Sequence, residues 1–343
     1  MITGSATTVD SLSWQEQLAT SIRDPQQLLQ LLQLDPALLD GALAAHGDFP
    51  LRVPQAYLQR IEQGNPDDPL LRQVLPLGTE LLATPGYNAD PLEELNANPA
   101  PGLVHKYHGR VLLIVSPNCA INCRYCFRRH FPYGDNKPGR GEWQQALDYI
   151  AADTSISEVI FSGGDPLAAS DRQLQWLVEQ LQQIPHLQRL RIHSRLPVVI
   201  PDRVTDHLLH WLGDNRFLTS LVIHSNHANE LDMAVQQALQ RLREAGVTLL
   251  NQAVLLAGVN DRAEVLCHLS ERLFECGTLP YYLHQLDRVS GAAHFAVSDQ
   301  TACELHSTLM ATLPGYLVPK LVRETPEAPH KVPLISNATP KKL

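Results

Sequence analysis

The chain has no long apolar run, no block of like charge and no cysteine framework. No uninterrupted apolar stretch approaches the ~18 residues that a membrane helix needs. The first residues, 1–21, lack the basic flank and apolar run of a signal peptide. A cytoplasmic protein with no membrane partner is therefore expected. Basic residues are in deficit: 27 Lys plus Arg stand against 36 Asp plus Glu, a net charge of −9, with no long Lys/Arg cluster. That balance argues against nucleic acid as a partner and favours a small substrate. Six cysteines in 343 residues do not make a disulfide framework in a reducing compartment. What the chain does have is 44% hydrophobic residues, which excludes general disorder and suffices for one large core or a core with a smaller attached region.

Between residues 24 and 100 an Asp-Pro pair followed by a Leu-rich run recurs, at Asp24-Pro25, Asp35-Pro36, Asp68-Pro69 and Asp90-Pro91. Asp at an N-cap accepts orphan amide protons and Pro at the first helical position needs none, so each pair predicts a helix start. The Pro- and Asn-rich stretch 96–102 predicts a boundary, which gives an N-terminal helical region over 1–100. Beyond it, strands are predicted at 111–116, 158–162, 190–194, 218–225, 247–256 and 279–285. Helical spacing of Leu174, Leu177, Val178 and Leu181, and of Leu231, Val235, Ala238, Leu239 and Leu242, fills intervals between them. Strands joined by crossover helices run parallel. Six such units are too few for an ordinary eight-fold barrel. An α/β core over 101–314 is expected, either a partial barrel or an open doubly wound sheet, with its site at the strand C-terminal ends. A last apolar run, 315–322, leads into a Pro-rich tail and completes a third segment, 315–343.

The chemistry concentrates after the first of these strands, at Cys119-Ala-Ile-Asn-Cys123-Arg-Tyr-Cys126. Three thiolates this close can hold one metal centre. A structural zinc wants four ligands, which His130 could complete, although the spacing is not that of common zinc knuckles. A 4Fe-4S cluster held by three Cys leaves one iron open to another ligand. Cys267, Cys276 and Cys303 are scattered singly and are expected to be small, buried apolar side chains. Ser162-Gly163-Gly164-Asp165-Pro166 ends the second strand, where a Gly pair is either a plain turn or a close approach of backbone to a ligand. His224, Asn251 and Gln252 are polar residues within apolar runs, either ordinary satisfied groups or ligand contacts.

Taken together, the cysteine spacing and the Gly pair resemble the radical S-adenosylmethionine superfamily, whose mark is three such cysteines after the first strand of a partial (β/α)6 barrel. The resemblance implies a 4Fe-4S cluster on Cys119, Cys123 and Cys126, with S-adenosylmethionine on the open iron. It also implies that the motif from Ser162 through Gly163 and Gly164 to Asp165 receives the methionyl ammonium. Residues 100–333 are further similar to the lysine 2,3-aminomutases, nearest to the short bacterial form that makes β-lysine for modifying elongation factor P. The stretches 101–129, 162–167, 223–230, 251–262, 279–287 and 330–334 carry this similarity in order.

What this family resemblance implies is a radical isomerase that moves the α-amino group of free L-lysine to the β-carbon, using pyridoxal phosphate joined to Lys331. Lys106, Tyr107 and Arg110 would bind the cofactor phosphate, and His224 and Gln252 would lie near the adenosyl ligand. Arg128 would grip the substrate carboxylate, while Asp287 and Glu324 would hold its distal ammonium. An electron donor such as flavodoxin and a ligase acting on elongation factor P are the implied partners. Several positions depart from the family pattern: Lys106 replaces an Arg of the clostridial type, Glu324 an Asp, and Pro326-Glu327-Ala328-Pro329-His330 a glycine-rich lead. Arg262 stands where members with an interface zinc have Cys, so that zinc is not expected. The N-terminal helices are expected as a lid or a flank. The rival readings are an aminomutase for arginine or glutamate, a radical activating enzyme without pyridoxal phosphate, and an inactive cluster-bearing partner.

Overall fold

The computed structural model describes residues 12–132, 140–326 and 328–335. Residues 1–11 of the expected helical region, and Glu327 with the tail from 336 of the expected C-terminal segment, lie outside the described residues. The N-terminal part carries short helices α1 (Trp14–Ala19), α2 (Pro25–Leu31), α3 (Leu39–Asp48), α4 (Gln55–Leu58) and α5 (Pro69–Arg72). Asp24 caps α2 through the Gln26 amide, and Asp68 caps α5 through the amides of Leu70 and Leu71. Asp35 caps a 3-10 turn that runs straight into α3. The fourth pair departs from expectation. Asp90-Pro91 opens a turn because Glu93 takes a left-handed φ of 50°, which a helix cannot propagate, and only a 3-10 turn, Glu94–Ala97, follows.

Nine strands among the described residues form one sheet in chain order. They are β1 (Leu103–Tyr107), β2 (Arg110–Ser116), β3 (Glu158–Gly163), β4 (Arg189–Ser194), β5 (Leu218–His224), β6 (Thr248–Val254), β7 (Leu279–His284), β8 (Lys320–Arg323) and β9 (Val332–Pro333). From β2 to β8 every pairing is parallel, while β1 and β9 add antiparallel edges that the sequence reading did not include. The crossovers are α6 (Arg140–Ala152), α7 (Asp171–Gln182), the pair α8 (Leu196–Val199) and α9 (Asp206–Gly213), α10 (Met233–Glu244), α11 (Ala263–Glu275) and α12 (Asp299–Thr312). This is the expected partial (β/α)6 barrel, with β8 as a seventh parallel strand. The run 315–322 is divided by Pro319, which has no amide to donate: a 3-10 turn, Gly315–Leu317, precedes β8.

The predicted apolar stripes face the core. Leu174, Leu177, Val178 and Leu181 of α7 are buried, as are Val235, Ala238, Leu239 and Leu242 of α10. Cys276 is buried, while Cys267 and Cys303 are half-buried against the core rather than inside it. One continuous core joins Trp14, Leu28, Val53 and Leu71 to Leu113, Phe161, Ile192 and Leu321. The N-terminal helices therefore flank the barrel and share its interior.

Candidate active site

The loop after β2 carries the three cysteines, and the N-terminal region clamps it. Asn122 donates to Arg52 O (3.1 Å) through its amide and to Pro50 O (2.9 Å) through Nδ2, and the Arg124 amide donates to Gln73 O at 2.9 Å. The Arg124 guanidinium, fully buried, forks onto Glu80 at 2.8 and 2.6 Å, and Arg129 reaches the same carboxylate at 3.0 Å. Both cations lie over the Phe49 ring, at 4.9 and 4.7 Å. Burial, then the charges of Cys126, Asp165 and Cys123, push the Cys119 thiol far up; burial and Cys123 push Cys126 to about 12. Thiols so placed do not ionise together without an added positive charge, which is the chemistry of an iron-binding donor set. Among the described residues no three His, Cys, Asp or Glu converge on one point as a single ion requires. His130 is turned to Ser290 O instead, at 3.4 Å.

The Gly pair sits against the root of this loop. The Gly164 amide donates to Ser116 O at 2.8 Å and the Asp165 amide to Asn118 O at 2.7 Å. A Cβ on Gly164 would lie 2.7 Å from both Pro117 O and Asn118 O, and Gly163 has a φ of +129°. The glycines are thus required by backbone packing beside Cys119. Asp165 is engaged within the protein. Its carboxylate accepts from Leu167 N (3.0 Å), Ser194 Oγ (2.7 Å), Arg195 N (2.8 Å) and Leu196 N (3.0 Å), so it ties the end of β3 to the end of β4. Burial raises it to about 6 against those donors.

His224, at the end of β5, shares a hydrogen bond of 2.9 Å with Tyr125 Oη; burial, then Arg195, lowers it to about 3. Gln252 is its register partner on β6. Asn251 has the ordinary role: buried, it bridges Ser225 N and O at 2.9 and 3.1 Å.

A second cluster lies toward β7 and β8. Lys331 Nζ is ion-paired with Glu324, which also accepts from Tyr107 Oη at 3.1 Å and lies 3.5 Å from Lys106 Nζ. Arg110 stacks 4.6 Å over the Tyr107 ring. The fold therefore gathers Lys106, Tyr107, Arg110, Glu324 and Lys331 from β1, β2 and the two ends of the connection between β8 and β9. Asp287, beyond β7, is half-buried and has no ion-pair partner among the described residues. Burial, then the Glu324 charge, raises it to about 7.

Arg128 is already engaged. Its Nε and Nη2 fork onto Glu94 at 2.6 and 2.8 Å, and Nη1 reaches Ser162 Oγ at 3.1 Å and Gly163 O at 3.3 Å. Glu94 and Arg195 were both missed by sequence reasoning. Arg195 stands at the C-terminal end of a parallel strand, where active sites gather, and that position was the available signal. Glu94 falls in the run read as a helix after Asp90-Pro91, just before the boundary at 96–102, and had none.

A profile of the Radical SAM superfamily matches residues 113–269. L-lysine 2,3-aminomutase of Escherichia coli (strain K12) is 54% identical over 323 residues, 94% of this chain and 94% of its own length. The protein of the same name from Haemophilus influenzae is 52% identical over 319 residues, 93% of this chain and 94% of its own. That of Clostridium subterminale is 34% identical over 325 residues, 94% of this chain and 78% of its own. With the cysteine loop at the strand ends of the barrel and identity at this level over nearly the whole of both chains, the protein belongs to the lysine 2,3-aminomutase family of the radical S-adenosylmethionine superfamily.

Proposed function

We propose that the chain converts free L-lysine to β-lysine, with pyridoxal phosphate on Lys331 beside the 4Fe-4S cluster and S-adenosylmethionine that the superfamily implies. Bound pyridoxal phosphate supplies a π-system through which an amino nitrogen can pass between adjacent carbons, and the cluster with S-adenosylmethionine supplies the initiating radical. The cysteines Cys119, Cys123 and Cys126 would hold the cluster, and Ser162, Gly163, Gly164, His224 and Gln252 would border the S-adenosylmethionine. Lys106, Tyr107 and Arg110 suit a phosphate, being two cations and a phenol on adjoining strands.

The observation that carries the reading is Asp287: a half-buried acid without a counter-ion among the described residues, raised to about 7, in reach of the Glu324 and Lys331 charges. A lysine ammonium would complete that pair, whereas a glutamate side chain would add a third carboxylate to a low-dielectric pocket. Lys331 matters to the same balance. As an ammonium it pairs with Glu324, and were it to hold the cofactor instead, that carboxylate would be open to the substrate ammonium. Arg128, its charge shared with Glu94, would orient the substrate carboxylate. The excluded water and fixed geometry are the protein's contribution.

We assign an external one-electron donor such as flavodoxin, a cytoplasmic setting, and onward use of the product by a ligase that modifies elongation factor P to the same reading. Among the described residues no helix is long and apolar enough to cross a membrane. The test is anaerobic turnover of the reconstituted full chain with isotopically labelled lysine, arginine and glutamate, read by mass spectrometry, together with borohydride trapping. β-Lysine as the dominant product and a reduced cofactor adduct on Lys331 are expected. Equal conversion of glutamate would overturn the reading in favour of an aminomutase for another amino acid, and no adduct on Lys331 would overturn it in favour of an activating enzyme.

A further inference from the structure

Arg195 follows directly on β4 and is buried, with 7% of its side chain exposed. Nη1 donates to Cys123 Sγ at 2.7 Å and to Tyr125 Oη at 2.9 Å. Nη2 donates to Gln73 Oε1 at 2.7 Å and Glu230 Oε2 at 2.8 Å, with Tyr57 Oη at 3.4 Å. The guanidinium also lies over the Tyr57 and Tyr125 rings, at 5.5 and 5.9 Å. Its Nε is buried with no acceptor among the described residues. Asp165 fixes the backbone at this point by accepting the Arg195 amide. Such a buried cation is costly to desolvate, and Glu230 alone could have neutralised it. The geometry aims it at a cysteine sulfur as well.

We propose that Arg195 is a positioning residue that raises the reduction potential of the cluster held by Cys119, Cys123 and Cys126, by donating a charged hydrogen bond to the Cys123 sulfur. Hydrogen bonds to cluster sulfurs and net charge around them set such potentials. Reduction adds one electron to the cluster, and a fixed cation at one of its thiolates favours the reduced form. Arg52 and the pair Arg128 and Arg129 act on Cys119 and Cys126 through charge, but the Arg195 contact is a direct hydrogen bond. Because the same guanidinium binds Gln73 and Tyr57, the tuning depends on the N-terminal region being docked. The role deepens the cluster reading and rests on it.

The experiment is a one-electron titration of the anaerobically reconstituted full chain with dithionite, followed by electron paramagnetic resonance, with iron and sulfide measured for each variant. Arg195→Gln is expected to make reduction at least tenfold less favourable, about 59 mV lower for one electron. Arg195→Lys keeps the charge and is expected to restore most of the shift. Glu230→Gln removes the competing carboxylate and is expected to move the potential upward. If Arg195→Gln does not take up iron, the comparison of Arg195→Lys and Glu230→Gln with the parent decides. Fully loaded variants with the potential of the parent would overturn the inference while leaving the cluster standing. A parent chain that binds no iron would overturn both.

Discussion

Asp287 and Glu324 are carboxylates of one pocket that their surroundings push in opposite directions. Burial, then Glu324, raises Asp287 to about 7. Glu324 is desolvated too, but Lys331, by charge and by hydrogen bond, and then Lys106 bring it down to about 2. Across neutral pH, therefore, Glu324 stays ionised and Asp287 titrates. On the proposed reading lysine's ammonium would bind the ionised form of Asp287, so the KM for lysine is expected to rise about tenfold from pH 8 to pH 6, with a flat profile in Asp287→Asn. For folding the sign is reversed. The native state holds this proton more tightly than the unfolded chain, so stability is lost as pH rises from about 4 through about 7. Asp287→Asn is then expected to raise the melting temperature at pH 8, leave it nearly unchanged at pH 4, and lose most turnover. Unchanged kcat/KM in that variant would contradict the substrate assignment.

A similar contrast marks Lys331 and Arg128. Each matched a family position, but the motif did not show what faces it: Glu324 for the one and Glu94 for the other. Those partners come from seven residues away and from 34 residues away in sequence, and a motif records neither.

At the scale of elements, the end of β3 and the cysteine loop are built backbone against backbone. Gly164→Ala would place a methyl 2.7 Å from two carbonyl oxygens at the root of the loop. Carbonyl backbone cannot rotate aside as a flexible side chain can, so the loop must move. A loss of about 1–3 kcal/mol in stability is expected. A fall in bound iron per chain is expected with it, while far-UV circular dichroism keeps its shape. Full iron loading in this variant would show that the loop tolerates the shift. The Gly pair was legible as a motif, but the motif did not show that backbone packing against the cysteine loop requires it. The Asp-Pro helix starts were legible where the following residues could stay helical, as after Asp24 and Asp68, and failed at Asp90, where Glu93 turns left-handed.

For the whole molecule, the decisive feature is that the N-terminal region and the barrel share one core and one clamp on the cysteines. Glu80 is fully buried between Arg124 and Arg129. Glu80→Gln leaves those cations under-compensated, and removing one partner of a buried pair typically costs ~3–5 kcal/mol. The variant is expected to melt earlier, with helical signal and cluster absorbance lost in the same transition. Cluster loss well below the melting of the fold would mean that the clamp acts on the loop alone.

The alternation of apolar runs, the spacing of three cysteines and the stretches that carry the family resemblance are local properties; from the first the sequence by itself determined an α/β core of parallel strands, and from the others the family and with it the barrel. Chain neighbours are enough for such features, because periodicity and motif spacing operate within a few residues. Tertiary structure alone decided which charges meet. Arg195 reaches Cys123 across 72 positions, Gln73 across 122 and Glu230 across 35. Arg124 reaches Glu80 across 44. Polar side chains so far apart leave no periodic trace, and their pairing follows from burial: a charge taken out of water must find whichever opposite group the fold brings within reach.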